Sequence, residues 1–112
     1  MSVNPRLTQA PATISRRHAR FTPRERDILE QLYRGLMPIE IAPKLGISRS
    51  TVAKHLENLR HKYRAGNVVG VMRAVEHEAA ALGDTDLLDQ FARWQREAYE
   101  AMRAAQAAEE AR

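Results

Sequence analysis

The sequence predicts an all-α protein: a four-helix unit over residues 21–83 followed by one long helix over 84–112. Three observations carry this. Apolar residues recur three and four positions apart along most of the chain, and no window shows the two-residue alternation that a half-buried strand needs. Gly35, Gly46 and Gly83 fall where the periodic runs stop. Only 5% of residues are aromatic while alanine is frequent, a balance that favours helices over a sheet.

Residues 1–20 hold two prolines, four arginines and no acidic group, with almost no periodicity, so a disordered basic arm is expected there. Its Ser-Arg-Arg-His-Ala-Arg run, Ser15 to Arg20, could serve as a solvated leader or reach a phosphate or minor groove. Thr22-Pro23-Arg24-Glu25 then opens the first helix. Thr22 caps, Pro23 occupies the first turn where its missing N–H costs nothing, and Glu25 closes a capping box. Ile28, Leu29, Leu32 and Tyr33 are its expected core face.

A second, short helix is predicted from about Pro38 to Leu45, with Ile39, Ala42 and Leu45 as its apolar positions. Two features disturb it. Pro43 lies inside, where a regular helix loses about 3 kcal/mol, so a kink or a distorted first turn is expected. Met37 stands where a capping Ser or Asn is usual. Gly46 breaks the pattern, Ile47 follows as an apolar plug, and Ser48 caps a third helix from about Arg49 to Tyr63. Val52, Leu56, Leu59 and Tyr63 give that helix an apolar stripe, which places Ser50, Ala53, Lys54, Glu57 and His61 on the opposite face. Two short helices around a glycine turn form a helix-turn-helix, whose second helix can enter the DNA major groove.

Arg64 to Asn67 is a turn, and the fourth helix runs from about Val68 to Leu82 with Val68, Val71, Met72, Val75, Ala79 and Leu82 as apolar positions. Asp84-Thr85-Asp86 reads as a fresh helix start, its acidic groups suited to the positive end of a helix dipole. Leu87, Phe91, Trp94, Ala98, Ala101, Ala105 and Ala108 then repeat at four-and-three spacing, as a coiled-coil seam does. Trp94 and its neighbours Leu87, Leu88, Phe91 and Met102 could fold back onto the first and fourth helices, pair two copies, or dock another protein. Borrowed apolar cover would stabilise a unit this small.

The charge is uneven: +4 over residues 1–20, +3 over 21–83 and −3 over 84–112. A basic front and middle suit a polyanion. There are no cysteines, so disulfides and thiolate metal sites are excluded. No apolar run approaches a membrane span or a signal-peptide core, and a soluble, cytoplasmic protein without membrane contact is expected. The adjacent residues Glu76, His77 and Glu78 point in different directions on a helix, so no metal site is predicted there. No glycine-rich phosphate loop, nucleophile elbow or paired-carboxylate arrangement occurs. The expectation is a non-enzyme without cofactor.

From Phe21 to Leu82 the sequence resembles the LuxR/GerE-type helix-turn-helix domain of bacterial transcription regulators. The likeness rests on FTPRERDILEQLYRGL, EIAPKLGIS and STVAKHLENL. It implies a sequence-specific DNA-binding regulator of transcription, and it covers neither tail. By this resemblance Ala53, Lys54 and Glu57 point at base edges of double-stranded DNA, while Arg49, Ser50, Thr51, His55 and Lys62 lie near phosphates. Lys54 can donate to guanine acceptors, Glu57 can accept from a cytosine amine, and Ala53 offers an apolar contact such as a thymine methyl. His55 fits a phosphate contact and a half-buried packing role equally.

The resemblance also implies a homodimer through the fourth helix; with the apolar seam of the last helix, the candidate dimer or partner face is Val71, Val75, Leu87, Phe91 and Trp94. Gly70, near the start of the fourth helix, departs from this expectation. With about twenty residues ahead of the domain, a module without a receiver or ligand-binding domain in the same chain is expected. The alternative is an interaction protein, an anti-activator or a binder of RNA polymerase or another regulator, with a drifted helix-turn-helix and a docking helix at its C-terminus. Region 4 of sigma factors has a similar Glu-Ile-Ala and Gly-Ile-Ser core, though the Thr-Pro-Arg-Glu-Arg opening favours the LuxR side.

Overall fold

The capping box at Thr22 forms as its residues dictate. The Glu25 N–H donates to Thr22 Oγ1 at 3.1 Å, and the Thr22 N–H donates back to Glu25 Oε1 at 2.9 Å. In the computed structural model, which describes residues 21–112, this box starts helix α1 (Pro23–Tyr33). Helices α2 (Pro38–Leu45), α3 (Arg49–Tyr63), α4 (Val68–Ala81) and α5 (Thr85–Glu110) follow, with no strand among the described residues. The basic arm expected over residues 1–20 lies outside them. No helix among the described residues is long and apolar enough to cross a membrane.

The remaining boundaries also follow local chemistry. Asn67 Oδ1 accepts from the Gly70 N–H at 2.8 Å and starts α4, and Asp84 Oδ1 accepts from the Leu87 N–H at 3.1 Å and starts α5. A Cβ on Gly70 would come within 3.1 Å of the Ala65 Cβ, so the glycine lets the preceding turn close against α4. Its presence has a structural reason. Arg64 ends α3 in the left-handed region at φ 53°, a conformation usually left to glycine.

Helix α2 settles the question of Pro43. The residue is exposed and the helix continues through it, with the carbonyl of Ile39 left without its N–H partner from Pro43. The expected apolar stripe is corrected, however. Ile41 and Ala42 are buried while Ile39 is 56% exposed, because α2 presents Ile41 to the core. Met37 gives no side-chain cap, and its own N–H instead donates to Glu40 Oε1 at 2.7 Å.

Ile28, Leu29, Ile41, Val52, Leu59, Val71 and Val75 are the largest fully buried apolar side chains among the described residues. They sit where α1 packs on α3, α2 closes one side and α4 the other. Leu56 and Tyr63 contribute only partly buried surface, and Leu82, expected as an apolar position of α4, is 48% exposed at its end.

Helix α5 folds back onto α1 and α4. Phe91 stacks on Tyr33 with ring centroids 4.2 Å apart, and Trp94 lies 5.9 Å from Phe91. The Arg26 guanidinium sits 5.8 Å over the Trp94 ring and donates to Gln90 Oε1, while Arg34 pairs with Glu97 at 3.1 Å. The Tyr33 hydroxyl donates to Glu76 Oε2 at 2.7 Å, and burial, reinforced by that carboxylate, pushes its pKa up. The candidate dimer or partner face is therefore corrected. Val71, Val75, Leu87, Phe91 and Trp94 are all buried within one chain, at most 5% exposed, and none is offered to a second molecule. The coiled-coil seam ends with them: Ala98 is half-buried, and Ala101, Ala105 and Ala108 are exposed.

This division of α5 is testable. Trp94→Ala should cost about 3–5 kcal/mol in urea unfolding, whereas deleting residues 99–112 should cost less than about 1 kcal/mol because those side chains are exposed. Equal losses from the two changes would contradict the fold-back.

Candidate nucleic-acid interface

Helix α3 begins at Ser48, whose Oγ accepts from the Thr51 N–H at 3.1 Å and lies 2.8 Å from Thr51 Oγ1 and 3.1 Å from Ser50 Oγ. The helix is seated by Val52 and Leu59 on its inner side. Ser50, Ala53, Lys54, Glu57 and His61 are all exposed on the other side, as the spacing predicts. The structure thus brings the three expected base-facing residues, Ala53, Lys54 and Glu57, onto one outward surface, with Arg49, Ser50 and Thr51 exposed around its N-terminal end.

Arg49 and Lys54 have no ion-pair partner among the described residues, which leaves two cations for a polyanion. Glu57 is different. Arg60 Nη1 lies 2.8 Å from one of its oxygens and His61 Nε2 3.1 Å from the other, so a base amine would use a remaining lone pair of a carboxylate already shared with two neighbours. These pairs are exposed and contribute little to stability. His55 is half-buried and its Nδ1 is enclosed without a hydrogen-bond partner among the described residues, so at least that edge of the ring belongs to the packing.

Lys62, which the resemblance implies near a phosphate, is half-buried and ion-paired. Its Nζ lies 2.6 Å from Oε1 of Glu25, whose side chain is 2% exposed. Spacing along α3 could not reveal this, because the partner is 37 residues away. A buried carboxylate needs a cation more than an exposed phosphate does, and Lys62 holds the end of α3 to the start of α1. Spacing also missed Arg60 as a holder of Glu57, although the three-residue interval is visible in the sequence. Among the described residues no group of three or more His, Asp or Glu side chains could hold a metal ion.

Residues 19–75 match the family model described as bacterial regulatory proteins, luxR family. The chain is 42% identical over 58 residues to the transcriptional regulatory protein MctR of Rhizobium johnstonii. That alignment covers 51% of this chain but only 27% of MctR, so the chain spans little more than a quarter of that relative. No solved structure matches the chain.

The roles of the two lysines separate by stability. Lys62→Ala should cost about 2 kcal/mol in thermal unfolding, because it strands the buried Glu25, and adding Glu25→Gln should recover part of the loss. Lys54→Ala should stay within about 0.5 kcal/mol. A Lys62→Ala protein as stable as Lys54→Ala would refute the clamp.

Proposed function

The chain belongs to the luxR family of bacterial regulatory proteins, and from that premise we propose that it is a sequence-specific DNA-binding regulator of transcription whose α3 enters the major groove. The observation that carries this is the outward surface of α3, where Ala53 and Lys54 are exposed, Lys54 is without an ion pair among the described residues, and the helix behind them is seated by buried Val52 and Leu59.

In this reading Lys54 donates to the O6 and N7 acceptors of guanine, and Glu57, beside Arg60 and His61, accepts from a cytosine amine. Arg49, with the Ser50 and Thr51 hydroxyls, meets phosphates and sets the register, which positions the protein without carrying sequence information. Lys and Arg neutralisation of phosphates supplies most of the affinity and makes it salt-dependent. The site of action is the cytoplasm, where the DNA is.

A homodimer fits this function, and the buried residues redirect where it pairs. With Val71 and Val75 enclosed, the part of α4 left for a second copy is its outward row of Val69, Arg73 and His77. Two copies would place two α3 helices one DNA turn apart, on half-sites about 10 bp apart.

Selection of bound fragments from random DNA by the full chain near 150 mM salt, where weak nonspecific binding is suppressed, should enrich a two-fold-symmetric motif. Lys54→Glu should keep the helical circular-dichroism spectrum and lose the preference for that motif over scrambled DNA. Discrimination retained by Lys54→Glu would overturn the assignment of α3.

A further inference from the structure

Among the described residues six large apolar side chains stand exposed, and two of them, Met37 at 63% and Ile39 at 56%, flank Pro38 at the start of α2. This start gives up the side-chain cap that Ser or Asn would supply and presents apolar surface instead. Pro38 and Ile39 form one wall of a notch of about 280 Å³, and Arg49, Val52, Ala53 and Leu56 of α3 form the other. Arg49 and Ala53 also belong to the face proposed to meet DNA. The notch and that face are continuous.

The chemistry of the major groove supplies one occupant. Base edges there present hydrogen-bond donors and acceptors with a single apolar exception, the C5-methyl of thymine. Arg49 at the rim is a cation with no ion-pair partner among the described residues. That suits a phosphate strand passing the notch better than it suits the apolar surface of a protein. We propose that Pro38, Ile39 and Ala53 form a methyl-reading pocket, so that α2 as well as α3 sets the base preference by seating a thymine methyl beside Ala53. The proposal rests on the DNA-binding reading above and adds a specificity-determining residue, Ile39, outside α3.

The probe is the DNA motif that the full chain enriches from a random pool, with each thymine replaced in turn by deoxyuridine. That change keeps base pairing and removes only the methyl. At one or more positions it should weaken binding roughly fourfold, the effect of exposing one methyl-sized group. Ile39→Ser should abolish that difference, and Tyr99→Ser, at an exposed position far along α5, should preserve it. A motif without thymine, or one in which deoxyuridine and thymine are equivalent throughout, overturns the pocket and leaves DNA reading standing. Thymine discrimination that survives Ile39→Ser also overturns it and confines base reading to α3. Failure to enrich any motif overturns both readings together.

Discussion

Glu25 is almost fully enclosed, yet its carboxylate accepts from the Thr22 N–H and from Lys62 at once. A charge removed from water at such a site is tolerated only with a partner close by and its remaining oxygen lone pairs used. Both conditions constrain the fold. The first needs the last turn of α3, which carries Lys62, to lie against the start of α1, and the second needs that start to be capped at Thr22. With its far end held there and its middle held by Val52 and Leu59, α3 has one orientation about its own axis. Ser50, Ala53, Lys54 and Glu57 face outward as a consequence.

Size explains the other large feature. The four helices α1 to α4 make a small unit, and units of that size bury a modest fraction of their chain. Leu87, Phe91 and Trp94 extend its core: Phe91 and Trp94 pack on Tyr33, and all three join Val71 and Val75 in one apolar cluster. Asp84 to Trp94 therefore belongs with the helix-turn-helix in packing terms, and the boundary at residue 83 separates two helices without separating two cores. Aromatic pairs of this kind contribute about 0.5–1.5 kcal/mol each beyond their buried area, which is a large share of the stability of a domain this size.

Most of the helix boundaries were legible in the sequence because capping is local chemistry. Thr22 with Glu25, Ser48 and Asp84 each act on an N–H three residues ahead, and Gly46 turns left-handed where the pattern breaks. The outward face of α3 was legible for the same reason, since fifteen residues of periodic sequence give it a clear phase. Helix α2 has only eight residues, and both a stripe through Ile39 and one through Ile41 can be drawn on it; contact with α3 and α1 decides between them. Partnerships across the chain were hidden altogether. Lys62 meets Glu25 across 37 positions, Tyr33 meets Glu76 across 43 and Arg26 meets Gln90 across 64, and no period reports such distances. The aromatic residues of α5 are visible in the sequence as an apolar seam, but the sequence leaves open whether their own chain covers it.

DNA reading as proposed requires α3 to occupy the major groove. Guanine N7 lies in that groove and is methylated by dimethyl sulfate, so reactivity on a bound, selected DNA fragment measures the contact directly. The account predicts that guanines at the centre of each half-site become protected when the full chain binds, and that Lys54→Ala restores their reactivity. Guanines that react equally in bound and free DNA, with binding intact, would contradict it.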